Sequence, residues 1–225
     1  MSTDDLLQKK DSLIARLKAK GYLKSETVER AVRKVPREEF VPTKVLNQSY
    51  VDRPLSIHHG QTISAPHMCV IMCETMKLEE GHSVLEIGAG SGYHAALCAE
   101  IVAPEKSSNP GHIYTIEIVE SLIKYAEKNL ERSGYSDRVT LIHGDGGKGY
   151  SERAPYDRVL VTAAAPEIPK PLIEQLAPNG IMAIPVGSRG WYQELKIVHK
   201  DSDGKIKIDR WGGVAFVPLT GEFGH

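Results

Sequence analysis

The run Val84-Leu85-Glu86-Ile87-Gly88-Ala89-Gly90-Ser91-Gly92-Tyr93 constrains this chain more than any other stretch. Four residues suited to a buried strand lead into glycines at 88, 90 and 92, and the segment from Tyr93 to Val102 favours a helix. A strand that turns tightly into a helix N-terminus brings bare backbone close to a ligand and leaves N–H groups facing it. Glycine turns also join strands to helices with no ligand involved, so the spacing has to discriminate. A dinucleotide loop needs its third glycine three positions after the second, at residue 93, and Tyr93 stands there. The pattern present is Glu86-x-Gly88-x-Gly90-x-Gly92.

The remaining sequence supplies such a loop with a sheet. Apolar strand-like runs are expected at 112–116, 139–143, 157–162 and 181–186, with helices at 119–132 and 171–176. A hairpin of 194–199 with 205–209 and a last strand at 214–219 follow. This alternation predicts an α/β fold, a mostly parallel sheet covered on both faces with an antiparallel edge near the C-terminus. Ligands of such sheets sit at the carboxyl ends of the strands, where the strand order reverses. Gly88 to Gly92, Glu117 and Asp145 all fall at such ends. Glu117 closes the second strand, where a carboxylate can accept both hydroxyl protons of a ribose. It lies somewhat further from the glycines than the usual ~20 residues, and the Pro- and Ser-containing insertion at 103–111 accounts for the excess. Gly144-Asp145-Gly146-Gly147 puts another carboxylate in a glycine-rich turn after the third strand.

At 225 residues one sizeable domain is expected, with a helical extension over 1–55 ahead of a core over 56–225. Leu6, Leu7, Leu13, Ile14 and Leu17 recur at helical spacing before Gly21, and Ser25 can cap a second helix that Pro36 stops. The net charge of −1 gives no reason to expect a nucleic acid or a membrane surface as partner. No apolar run approaches the roughly 18 residues of a membrane span, and the polar start is unlike a signal peptide. A soluble cytoplasmic protein is expected, and the odd count of three cysteines, Cys69, Cys73 and Cys98, fits a reducing compartment. Cys69 and Cys73 can share a helix face with His67 nearby, so a metal reading stands beside plain packing of small thiols; the packing reading is the expected one, with no metal.

Between the extension and the glycine run lies Ser56 to Met68, a hydroxyl-rich loop ending at Pro66, which suits the first turn of a helix to about Met76. Met68, Met72 and Met76 at fourfold spacing read as core packing. Thr62 and Ser64 can each serve as the cap of that helix.

Three segments go beyond a general nucleotide site. The loop Glu86-x-Gly88-x-Gly90-x-Gly92 is similar to that of S-adenosylmethionine-dependent methyltransferases of the Rossmann-like class. Gly60-Gln61-Thr62-Ile63-Ser64-Ala65-Pro66-His67-Met68, Ala154-Pro155-Tyr156-Asp157 with 161–166, and Val214-Ala215-Phe216-Val217-Pro218-Leu219-Thr220 resemble, in order, the protein-L-isoaspartate (D-aspartate) O-methyltransferase family from about residue 40 onward. The resemblance implies a Rossmann-like sandwich with rearranged last strands. It implies transfer of a methyl group from S-adenosylmethionine to the α-carboxylate of L-isoaspartyl residues, more weakly D-aspartyl, in damaged proteins and peptides, leaving S-adenosylhomocysteine. It places Gly88, Gly90 and Gly92 against the methionine part of the cofactor and gives Glu86 the orientation of the loop or the amino group. Glu117 with Ile118 would serve the ribose, and Gly144 with Asp145 the adenine amino end. Gln61, Thr62, Ile63 and Thr220 would complete the cofactor site. Ser64 is the implied active-site serine, with Thr62, Val214 and Phe216 flanking the substrate and the backbone of 214–217 bonding the peptide like a strand. The implied protein is a monomer.

Such a transfer needs alignment in a water-poor pocket more than a strong base, so the lack of a nucleophile, base and orienter set is consistent with it. Excluding water calls for the 58–66 loop to close over the cofactor. A methyltransferase of the same fold with another substrate is the first rival reading, and a non-catalytic scaffold the second.

Overall fold

A computed structural model describes residues 3–188 and 192–225. The N-terminal helices α1 (Thr3–Ala19) and α2 (Glu26–Lys34) form as the periodicity predicts. Gly21 follows α1 at φ +70°, and Ser25 caps α2 by accepting from the Val28 N–H. Glu74 secures that cap from a distance, its Oε1 accepting from the N–H groups of Lys24 and Ser25 at 2.8 Å each. Short 3-10 turns at Arg37–Phe40 and Thr43–Gln48 lead to a two-stranded pair, β1 (Leu55–Ser56) with β2 (Thr62–Ile63). Pro66 then starts α3 (Pro66–Met76).

The sheet follows as β3 (Ser83–Ile87), α4 (Tyr93–Val102), β4 (His112–Glu117), α5 (Glu120–Arg132), β5 (Val139–His143), β6 (Tyr156–Val161) and α6 (Lys170–Gln175). It closes with β7 (Leu176–Gly187), β8 (Gln193–Lys200) and β9 (Ile206–Val214). Their order across the sheet is β5-β4-β3-β6-β7-β8-β9, parallel up to β7, then antiparallel at both β7–β8 and β8–β9. The predicted mostly parallel sheet with an antiparallel edge is therefore present. Strand order reverses between β3 and β6, which fixes where a ligand crevice opens.

Alternation along the strands sorts the apolar side chains into two layers. Val84, Ile113, Leu160 and Ala183 face a core shared with helices α1 to α5. Leu85, Ile116, Val161 and Met182 face a second core with Leu172 of α6 and Leu219. The helical extension is thus continuous with the larger of the two cores.

Two predicted strands differ in the structure. The strand expected at 181–186 begins at Leu176 and passes through Asn179, at φ +60°, with a register shift against β6. The strand expected at 214–219 ends at Val214 instead. Residues 215–219 cross the carboxyl end of the sheet, held at Ala164, whose N–H donates to Val217 O and whose carbonyl accepts from Leu219 N.

Candidate active site

At the reversal point the chain encloses a cavity of about 640 Å³, within the range of small-molecule sites. It is walled by the 61–69 segment, the glycine turn, the end of β4 and the 213–220 segment. Of the residues singled out from sequence, Gln61, Thr62, Ile63, Ser64, Gly88, Gly90, Glu117, Ile118, Val214, Phe216 and Thr220 line it together. Glu86, Gly92, Gly144 and Asp145 do not.

The glycine turn is built by its own hydrogen bonds. Gly88 N and Ala89 N both donate to Ile116 O, Gly92 N donates to Ala89 O, and Gly90 N donates to Glu117 Oε2 at 2.9 Å. These four N–H groups are consequently spent within the chain, and at Gly88 and Gly90 the turn offers bare surface instead. Glycine is required here by conformation and space. Gly88 has φ +94°, and a Cβ on it would sit 2.5 Å from Thr162 Oγ1. That hydroxyl donates to Ile87 O and Gly88 O, locking the turn to the end of β6. Gly92, the cap of α4 at φ +84°, lies under Leu130, and Asn129 Nδ2 donates to Ser91 O from α5.

Glu117 is 7% exposed and accepts one backbone N–H at each oxygen, Gly90 at Oε2 and Val119 at Oε1. Each oxygen keeps a second lone pair, so a pair of vicinal hydroxyls can still donate to it. Glu86 points the other way, into the core beneath α3 and α4, where Oε2 accepts from Thr115 Oγ1 at 2.6 Å and Oε1 is buried without a partner among the described residues. Burial pushes its carboxyl up to about 7. A direct bond from Glu86 to an amino group in the cavity is therefore replaced by a position behind the turn.

Asp145 also departs from expectation. Its Oδ1 accepts from Gly147 N at 2.9 Å and its Oδ2 from Glu222 N at 2.8 Å, so it ties the C-terminal turn to the end of β5. A Cβ on Gly221 would come 2.3 Å from Asp145 Oδ1. Gly146, next in the chain, reaches the cavity in place of Gly144 and Asp145, and Thr220 is positioned by the turn that Asp145 holds.

Ser64 sits on the wall just before α3, but Ala65 occupies the cap position and no side chain bonds the helix end, so neither Thr62 nor Ser64 is a cap. Its carbonyl accepts from Arg37 Nη2 at 2.8 Å, and Arg37 Nε donates to Ser49 O. This fully buried guanidinium lies 4.7 Å over the Tyr93 ring, with no carboxylate hydrogen-bonded to it among the described residues. His58 stacks edge-on against Tyr125, and His59 bonds Ser121, so the loop before Gln61 rests on α5. Opposite, Gln193 binds both backbone groups of Phe216: Nε2 donates to Phe216 O at 3.1 Å and Oε1 accepts from Phe216 N at 2.7 Å. The backbone pairing with a peptide expected of Phe216 is thereby taken up inside the chain, and its side chain is what packs at the wall.

Thr162, Arg37, Asn129 and Gln193 went unmarked in the sequence, since each acts through a partner distant in the chain. The metal alternative also changes: His67 Nδ1 bonds Asp52 Oδ1 at 2.8 Å, whereas Cys73 Sγ lies 3.5 Å from His94 Nε2. No helix among the described residues is long and apolar enough to cross a membrane.

A protein-L-isoaspartate O-methyltransferase of Hyperthermus butylicus is 56% identical, over 94% of this chain and 88% of its own length. One of Methanopyrus kandleri is 51% identical over 100% of this chain and 97% of its own. A Plasmodium falciparum structure described as a protein-L-isoaspartate O-methyltransferase in complex with S-adenosyl-L-homocysteine superposes with a TM-score of 0.82 at 28% identity, covering 93% of this chain and 97% of that one. Residues 8–224 match the family model described as Protein-L-isoaspartate(D-aspartate) O-methyltransferase, and the chain, with its glycine turn, strand-end Glu117 and serine-bearing loop around one cavity, belongs to that family.

Proposed function

We infer that this chain transfers the methyl group of S-adenosylmethionine to the α-carboxylate of L-isoaspartyl residues, and more weakly D-aspartyl residues, in damaged proteins and peptides. The resulting ester closes to a succinimide that reopens in part to normal aspartate. The observation that carries the reading is the meeting of two different walls in one cavity: a glycine turn with Glu117 on one side, and the 61–64 loop facing 214–220 on the other.

The residues fit the cofactor. The surface bared at Gly88 and Gly90 admits the methionine part, and the open lone pairs of Glu117 suit the ribose hydroxyls beside Ile118. Gly146 and Thr220, held by Asp145, border the adenine end. When bound, S-adenosylmethionine supplies a sulfonium-activated methyl carbon, which bonds to the substrate carboxylate oxygen as sulfur leaves with the electron pair. No proton moves, so the chain has no base to provide. Ser64 orients the carboxylate by donating its hydroxyl, and Arg37 fixes that serine through its carbonyl. Ile63, Phe216 and Val217 make the walls apolar, and closure of the 58–66 loop completes the exclusion of water.

Residues 1–225 act as one methyltransferase domain in this reading, with 1–55 as its helical extension. The protein works as a soluble cytoplasmic monomer without nucleic acid or membrane, and the transfer needs no metal because the sulfonium carries its own activation. Incubation with methyl-labelled cofactor and two peptides, identical except for isoaspartyl or aspartyl at one position, tests the reading. Base-labile label is expected on the isoaspartyl peptide alone; equal labelling of both, or none, overturns it.

A further inference from the structure

On the α3–α4 side of the sheet, behind the glycine turn, three side chains that the methyl transfer does not use converge. Cys73 of α3 meets His94 and Cys98 of α4, with one donor atom from each lying within 4.8 Å of the others. His94 and Cys98 are one helical turn apart and so share a face of α4, while Cys73 reaches them from the neighbouring helix. All three are buried, at 1%, 7% and 0% exposure for Cys73, His94 and Cys98. Two further polar atoms in this core lack partners among the described residues, His94 Nδ1 and Glu86 Oε1. An apolar core does not ordinarily collect two thiols, an imidazole and a carboxylate with bonds left unmade.

We propose that Cys73, His94 and Cys98 form a binding site for one soft divalent cation of the zinc type, which ties α3 to α4 behind the cofactor cavity. Tetrahedral coordination with Zn–S near 2.3 Å and Zn–N near 2.0–2.1 Å separates neighbouring donors by about 3.5–3.8 Å. Cys73 Sγ and His94 Nε2 are already 3.5 Å apart. Two thiolates neutralise a divalent cation, so the loaded site leaves no net charge in a dry interior, and the two protons lost on binding leave to solvent. The two sulfurs favour zinc or cadmium over magnesium or calcium. Three protein donors leave the fourth tetrahedral position to a water ligand. Entry is from the cavity, since His94 forms part of its wall.

Titration of the reduced full-length protein with Cd²⁺, followed by sulfur-to-cadmium charge-transfer absorption, and with Zn²⁺ against a chromophoric chelator, tests the site. One equivalent per chain, a band of two-thiolate intensity and a raised unfolding midpoint are expected. Cys73→Ala and Cys98→Ala should each bind at least about tenfold more weakly, since even loss of an outer-shell partner costs that much. Cys69→Ala should keep stoichiometric binding. Absence of binding by the reduced wild type overturns the proposal whatever the variants do. So does unchanged binding by both the Cys73 and Cys98 variants, or a single free thiol after mild oxidation in a protein that binds no Cd²⁺ when reduced, which would make Cys73 and Cys98 a disulfide pair.

Discussion

At the scale of single residues, the site separates groups that touch the cavity from groups that hold them. Ser64 is not the helix cap, so Ser64→Ala should leave the unfolding midpoint and S-adenosylhomocysteine affinity near wild type. Turnover on an isoaspartyl peptide should fall about tenfold or more, the value of one hydrogen bond to a charged group. Glu117 both faces the cavity and bonds Gly90 and Val119, so Glu117→Ala should weaken S-adenosylhomocysteine binding by about 1.5–3 kcal/mol in calorimetry. Glu86 gives a pH signature. Burial raises its carboxyl from 4.5 to about 7, so the folded state prefers the protonated form. The associated stability is complete below pH 4.5 and is lost as pH rises to about 7. At one pKa unit per 1.36 kcal/mol, the loss is about 3 kcal/mol. Glu86→Gln, neutral throughout, should gain that much on wild type between these limits, read by denaturant melts at several pH values. Little of this was legible from sequence: the residue types at 64, 86 and 117 announce polar roles, but which way a strand-borne carboxylate points is set by the layer on each face.

At the scale of elements, the glycine turn at the end of β3 is tied to the end of β6 through the Thr162 hydroxyl. Gly88→Ala would press a Cβ against Thr162 Oγ1 at a positive φ, a strain of about 1–3 kcal/mol. The unfolding midpoint should drop accordingly, and S-adenosylhomocysteine binding should be lost in calorimetry as the turn shifts. The helices α2 to α5 and the strands β3 to β5 stand close to their predicted places because they are apolar-patterned runs, several of them bounded by residues such as Ser25, Pro36, Pro66 or Gly134. The C-terminal elements were harder to read. An apolar run such as 214–219 looks like a strand whether or not a neighbour is free to pair with it, and here Ala164 and Gln193 take up its hydrogen bonds instead.

At the scale of the whole molecule, the N-terminal extension is part of the core. Leu13, Ile14, Leu17, Val28, Ala31 and Val32 are all at or below 4% exposure, in the same apolar cluster as α3 and α4. Each large apolar side chain contributes roughly 1.5–3 kcal/mol on burial, against a total stability of about 5–15 kcal/mol. Deletion of residues 1–35 should therefore abolish cooperative unfolding, checked by circular dichroism melts and limited proteolysis, even though the strand ends that form the cavity remain in the chain.

The sequence by itself determined the fold class, the position of the crevice and the family, because periodicity, turn residues and short motifs are local properties. Only the tertiary structure decided which face of the sheet each polar side chain enters, and hence that Glu86 and Asp145 support the site from behind, that Arg37 and Gln193 brace its two walls, and that His94 stands with Cys73 and Cys98. Those outcomes depend on contacts between residues far apart in the chain, which no local pattern encodes. The glycine turn shows both sides of this division: its spacing named the cofactor class, while the spending of its N–H groups on Ile116 and Glu117 could be seen only once β3 and β4 were paired.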